Sequence, residues 1–169
     1  MDPVEHLSDK LQRWLSRLPG IGTYRDREDR RQADKRFREH LSARLNGAVQ
    51  SLRSLERDLA ESGSLSPLPQ LDRTCSRIQQ LADTIRYASY GYGGIFDLDK
   101  IREEELQRMY EFDLYLLDDV EFLEQDSQEL RSRKADHEDL SGLLRALETR
   151  CQVLAERFER RRQFITRPS

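Results

Sequence analysis

The stretch DLDKIREEELQRMYEFDLYLLDDVEFLEQDSQEL, residues Asp97–Leu130, decides how the rest of the chain must fold. Its apolar residues Ile101, Leu106, Met109, Tyr110, Leu114, Leu116, Leu117, Val120, Leu123 and Leu130 recur at helical spacing and put one continuous stripe on an α-helix. Thirteen carboxylates accompany that stripe against only Lys100, Arg102 and Arg108, a local charge of −10. Asp113 is the exception among them, because it falls near the middle of the apolar stripe rather than on the solvent side. A helix this long and this acidic requires other helices to cover it and basic segments to balance it.

Working back toward the N-terminus, LPQLDRTCSRIQQLADTIRYAS predicts a helix over about Pro69 to Ser89, with Leu71, Cys75, Ile78, Leu81, Ala82, Ile85 and Ala88 on one face. It runs into YASYGYGGIFD, where Gly91, Gly93 and Gly94 sit among Tyr87, Tyr90, Tyr92 and Phe96. That segment reads as a tight helix-to-helix connection whose aromatics fold back over the bundle end. Alternatively, Tyr87, Tyr90, Tyr92 and Phe96 form an aromatic contact surface for a partner protein. Asp97 or Asp99 is expected to cap the acidic helix.

Before this lies a long helix signalled from about Tyr24 to Glu61, with Phe37, Leu41, Leu45, Ala48, Val49, Leu52, Leu55 and Leu59 as its stripe. Its opening, YRDREDRRQADKR, is nearly all charged, so those turns either project into solvent or run beside an acidic helix. SGSLSPLPQ ends it, with Gly63 as a C-cap and Pro67 and Pro69 preventing resumption. A first helix is predicted over Pro3 to Leu18, stopped by Pro19–Gly20. Its face comprises Val4, Leu7, Leu11, Trp14, Leu15 and Leu18, flanked by Lys10, Arg13 and Arg17.

Toward the C-terminus, Leu140, Leu143, Leu144, Leu147, Cys151, Leu154 and Phe158 form another stripe, and Asp136 is a candidate cap. The intervening RSRKADHED has no Gly or Pro. One helix of about 65 residues, roughly 100 Å long, is therefore an alternative to two helices joined by a turn. The turn is preferred, because a lone long helix leaves its middle without packing partners.

The expected fold is all-α: an elongated antiparallel helical bundle with coiled-coil character, four long helices plus a short N-terminal amphipathic one. Residues 1–22 form the N-terminal helix and its link, and residues 23–169 form a single bundle domain. Charged residues make up 36% of the chain, as in solvent-laced helices, and the net charge of −3 gives no general drive toward nucleic acid. Charge is nevertheless segregated. Residues 10–57 carry +7 and residues 131–169 carry +4 against the −10 of the acidic helix, so helices of opposite sign should be neighbours. Cys75 and Cys151 both fall on apolar stripes and read as buried thiols in a reducing compartment. No stretch has the length and apolarity of a transmembrane span, which makes a cytoplasmic protein the expectation.

No arrangement of residues points to catalysis. A carboxylate-bundle metal centre needs Glu three residues before an inward His, and His6, His40 and His137 lack it. Gly91-Tyr92-Gly93-Gly94 follows a helix and has no Lys-Ser/Thr after it, so it is no phosphate loop. Neither a cofactor nor a small-molecule substrate is implied.

The sequence instead predicts a non-enzymatic scaffold or adaptor that self-associates or docks partner helices. Asp113 is then a candidate register-setting polar residue in the seam, or the partner of an arginine from a neighbouring helix. The runner-up is a peripheral membrane protein anchored, or held in a partner's groove, by Leu7, Leu11, Trp14, Leu15 and Leu18. An amphipathic N-terminal helix followed by long charged helices resembles the layout of membrane-remodelling coiled-coil proteins such as the phage-shock family, which implies that membrane role. A metal-carboxylate enzyme is a distant third.

Overall fold

The computed structural model describes residues 27–90, 94–98, 102–132 and 137–167. The predicted first helix with its anchor residues Leu7, Leu11, Trp14, Leu15 and Leu18, together with Tyr92, Asp99 and Asp136, lies outside them. Four long helices account for nearly all of what is described: α1 (Arg27–Glu61), α2 (Leu68–Arg86), α3 (Glu103–Ser132) and α4 (His137–Thr166). Among the described residues of the connection from α2 to α3, Ile95–Asp97 form a 3-10 turn. The fold is an all-α helical bundle.

Local chemistry explains where the helices stop. Gly63 adopts φ 78° just past α1, which an L side chain resists. This lets Ser64 N–H reach the Leu59 carbonyl at 2.8 Å and Gly63 N–H reach that of Ala60 at 3.1 Å. Those paired bonds satisfy carbonyls that the helix end would otherwise leave bare. Pro67 then precedes α2, and Pro69 sits in its first turn, where a missing N–H costs nothing.

At α3 the expected caps are wrong. Asp97 closes the 3-10 turn, and the helix begins only at Glu103, where the Glu105 carboxylate accepts the Arg102 backbone N–H at 3.2 Å.

Cross-chain pairs set the topology. Arg53–Asp72 and Arg38 with the Arg86 carbonyl make α1 and α2 an antiparallel hairpin. Arg157–Asp119 and Arg150–Asp126 do the same for α3 and α4, which excludes the single 65-residue helix. Between hairpins, α1 packs on α3 and α2 on α4, and both of these pairs run parallel. The connection from α2 to α3 therefore crosses the end of the bundle diagonally.

As the charge pattern predicts, acidic α3 lies between basic α1 and α4. Arg44 meets Glu124 at 2.7 Å on one side, and Arg157 meets Asp119 at 2.7 Å on the other.

The main core combines the predicted stripes, including Phe37, Leu41, Leu45, Leu52, Leu71, Ile78, Ile85, Leu116, Leu123, Leu144 and Leu154, all fully buried. Each such side chain contributes about 1.5–3 kcal/mol by leaving water. A second, smaller apolar cluster lies at the crossed end: Ala33, Ile95, Phe96, Met109 and Ile165. Cys75 and Cys151 are free and buried, with both thiols pushed up to about 11 by burial. Among the described residues no helix is long and apolar enough to cross a membrane.

Candidate functional site

The two apolar clusters are separated by charge. Along α1, Asp34 follows Ala33 of the small cluster and precedes Phe37 of the main core; Asp113 of α3 and Arg161 of α4 occupy the equivalent levels. Arg161 donates from Nε to Asp113 Oδ1 at 2.5 Å and from Nη1 to Asp34 Oδ1 at 2.7 Å, with all three side chains essentially inaccessible. Its Nη1 also reaches the Tyr90 hydroxyl at 3.0 Å, and its guanidinium lies 5.1 Å from the Phe37 ring centroid. Arg38 completes the layer. It pairs with Asp34 at 2.8 Å, donates to the Arg86 carbonyl at the end of α2, and covers the Tyr90 ring at 5.3 Å. One guanidinium thus serves two carboxylates from two other helices.

The electrostatics follow from that sharing. Burial disfavours the Asp113 carboxylate, and the nearby charge of Asp34 adds to it. Together they outweigh Arg161 and push the Asp113 carboxyl up to about 6. Burial opposes the Arg161 cation, but the two carboxylates overcome this and hold it charged far above the usual range. Tyr90 is pushed up by burial and by Asp34 despite the neighbouring arginines. Asp113 Oδ2 has no hydrogen-bond partner among the described residues.

Three of the four aromatics of the predicted contact surface, Tyr87, Tyr90 and Phe96, lie among the described residues. Tyr90, half-buried, and Phe96, buried, stack edge-on at 5.9 Å and cover the bundle end. Arg30, buried among the charged opening turns of α1, donates to the carbonyls of Phe96 and Leu98 and holds the link down. Within those turns Arg30, Ala33 and Asp34 face inward, while Gln32, Lys35 and Arg36 remain exposed. Gly94 touches the α4 backbone so closely that a Cβ would overlap the Ile165 carbonyl. Tyr87 stands exposed, at 74%.

The accessible chemistry lies elsewhere, along the outer face shared by α3 and α4. Tyr115 (52% exposed), Phe122 (50%) and Val153 (39%) form a strip there. Arg157 covers the Tyr115 ring at 5.5 Å and also pairs with Asp119. Seven residues further along α3, Arg150 covers Phe122 at 5.7 Å and pairs with Asp126. The Phe112–Phe164 pair, with ring centroids 5.7 Å apart, also joins α3 to α4. A shallow cleft of about 200 Å³ continues the strip, lined by Leu130, Leu143, Ala146 and Leu147.

A larger cleft, about 550 Å³, opens beside the start of α3 and contains Arg102, Glu104, Glu105, Arg108, Glu111 and Phe164. Its charges are mixed, and Arg102 is already paired with Glu105 at 2.9 Å. No nucleophile, base and oxyanion donor converge in it. Among the described residues no group of three or more His, Cys, Asp or Glu is placed to hold a metal ion.

No protein-family model, no curated protein and no solved structure matches this chain.

Sequence reasoning singled out Asp113 but missed its partners. Asp34 and Arg161 both lie on apolar rows by spacing: Asp34 ahead of Phe37 and Leu41, and Arg161 after Leu154 and Phe158. An acid in two stripes and a base in a third was the available signal. Tyr115 and Phe122 carried none, because an aromatic on a long amphipathic helix is ordinarily core.

Proposed function

We propose that this chain is a non-enzymatic interaction protein: a small cytoplasmic scaffold or adaptor whose α3–α4 outer face docks a partner helix or a second copy. The half-exposed strip of Tyr115, Phe122 and Val153 carries this reading. Its aromatic residues stand seven apart and are flanked by Arg150 and Arg157. Aromatics and arginines at such positions anchor interfaces, and a heptad-spaced ridge suits coiled-coil packing with another helix. Asp113 has a supporting role here, since the polar layer at Arg161 favours one register between the hairpins and so one geometry for the outer face.

The test is the double substitution Tyr115→Glu/Phe122→Glu. In light scattering at high concentration and low salt, the native chain associates and the double variant does not. If both run as monomers, self-association is excluded. If the two chains also retain the same set of co-purifying proteins, this face is not the docking surface.

A second reading, peripheral membrane association, is supported by the stripe Leu7, Leu11, Trp14, Leu15 and Leu18 with its Lys10, Arg13 and Arg17 flank. Flotation with anionic vesicles, with and without residues 1–20, tests it; absence of binding at low salt ends it.

A further inference from the structure

The rungs along the α3–α4 face select the occupant that this face fits. Arg157 reaches from α4 to Tyr115 and Asp119, and Arg150 reaches to Phe122 and Asp126. Each rung therefore sets an acid of α3 level with a base of α4, and the rungs repeat after seven residues on both helices, about 10 Å. The face is split lengthwise by charge. Asp119 and Asp126 run along α3, while Arg150 and Arg157 run along α4; Arg160 continues the basic row, with Glu156 beside it as the exception. The rungs are not sealed, since the Arg150 and Arg157 side chains are 49% and 40% exposed and a guanidinium has donors for a second carboxylate.

We propose that the occupant is a second copy of this chain, related by a two-fold axis that runs along the face parallel to α3 and α4. This rests on the reading of the face as a docking surface, and it names what docks there. A two-fold pairs one face with itself, and its axis can lie in the interface either across the helices or along them. An axis across them lays α3 on α3 and α4 on α4, acid against acid and arginine against arginine, which is repulsive. An axis along them lays α3 of each copy on α4 of the other and keeps every level. Asp119 then meets Arg157 of the second copy, and Asp126 meets its Arg150, so each arginine gains a second carboxylate. Tyr115 and Phe122 pack over Val153 and Ala146 of the second copy, an apolar centre inside a charged rim. Both signs are present here at matching steps. A second copy therefore complements both rows, whereas a helix of one sign complements one row only.

Residues along such an axis face their own counterparts at every level, which a cross-linker can read. Ala146, Val153 and Arg160 follow at steps of seven and are exposed on α4, and Ala146 lines the cleft beside Asp126 and Leu130 of α3. Ala146→Cys and Arg160→Cys, made singly in the full chain, are treated with a short bismaleimide. Cys75 and Cys151 are buried, so the native chain supplies the background. The two new thiols stand about 21 Å apart along α4, yet each variant alone should give a covalent dimer at several-fold the native yield. Adding Tyr115→Glu/Phe122→Glu should abolish both dimers. The proposal is overturned if one variant alone cross-links, or if a dimer forms only when the two variants are mixed. Either result marks the axis across the helices and leaves the face a docking surface. Cross-links that persist with Tyr115→Glu/Phe122→Glu overturn it too, by placing the contact elsewhere. It is equally overturned if no combination cross-links and the chain runs as a monomer, in which case docking of a partner helix still stands or falls by the co-purifying proteins.

Discussion

Replacing Asp113 by Asn removes one titration and leaves the layer's shape nearly intact, which makes it a sensitive probe of the buried charge cluster. Asn retains an oxygen to accept from Arg161 Nε, now 2.5 Å from Asp113 Oδ1. The Asp113 carboxyl lies at about 6 in the folded protein against an ordinary 3.8. Between those values the folded chain keeps a proton that the unfolded chain releases. Stability from this group is therefore fully present below about pH 4 and is lost as pH rises through about 6. At 1.36 kcal/mol per pH unit, the loss is on the order of 3 kcal/mol, a large part of the 5–15 kcal/mol typical of a domain.

Urea denaturation followed by far-UV circular dichroism, at a series of pH values, measures this. The native-minus-Asp113→Asn stability difference should fall by that amount from about pH 4 to about pH 7. A constant offset from the amide's buried NH₂ does not change the slope. A flat difference refutes the reasoning. A rising one would show that Arg161 outweighs burial and that Asp113 behaves as an ordinary paired carboxylate.

Other variants probe the same fold. Arg161→Leu leaves Asp34 and Asp113 buried together without their shared cation and should cost about 3–5 kcal/mol in urea denaturation. Replacing Asp34, Asp113 and Arg161 together by leucines should return stability to within about 1 kcal/mol of native, or above it. Gly94→Ala forces a methyl onto the Ile165 carbonyl and should cost about 1–3 kcal/mol; an unchanged thermal midpoint would contradict the close packing of the link on α4. Cys75 and Cys151, at about 11 instead of 9.0, have roughly a hundredfold smaller thiolate fraction near neutral pH. Labelling of the native protein by a thiol reagent should be slower than in urea by at least that factor.

Much of the fold could be read from residue spacing. The stripes of α1, α2, α3 and α4 became the core, Gly63 ended α1 as its position suggested, and the opposite charges of neighbouring helices placed α3 between α1 and α4. Local periodicity failed where burial depends on distant partners. Arg30 is buried where the Phe96 carbonyl, 66 residues away, accepts a hydrogen bond from its guanidinium. Asp34 is buried because Arg161 lies against it from 127 residues along the chain. The α3 cap was misplaced for the same reason, since the link held by Arg30 uses Asp97 in a turn of its own and delays the helix to Glu103. Of the candidate contact aromatics, Tyr90 and Phe96 went inward because the crossed end of the bundle needed cover, a requirement of topology that composition does not express.

The polar layer also bears on the order of events in folding. Each hairpin, α1–α2 or α3–α4, can form from contacts near in sequence, and such contacts form early. Asp34 belongs to one hairpin, and Asp113 and Arg161 to the other, so the three-helix charge cluster closes only when the hairpins dock. Its desolvation is therefore expected late on the path, after the transition state has gathered most of the apolar surface. Disrupting Arg161 should therefore act on the rate of opening, steepening escape from the native state while refolding proceeds almost unchanged. Such a cluster is expected to be silent during assembly and felt on dissolution, and stopped-flow unfolding and refolding rates of Arg161→Leu test this.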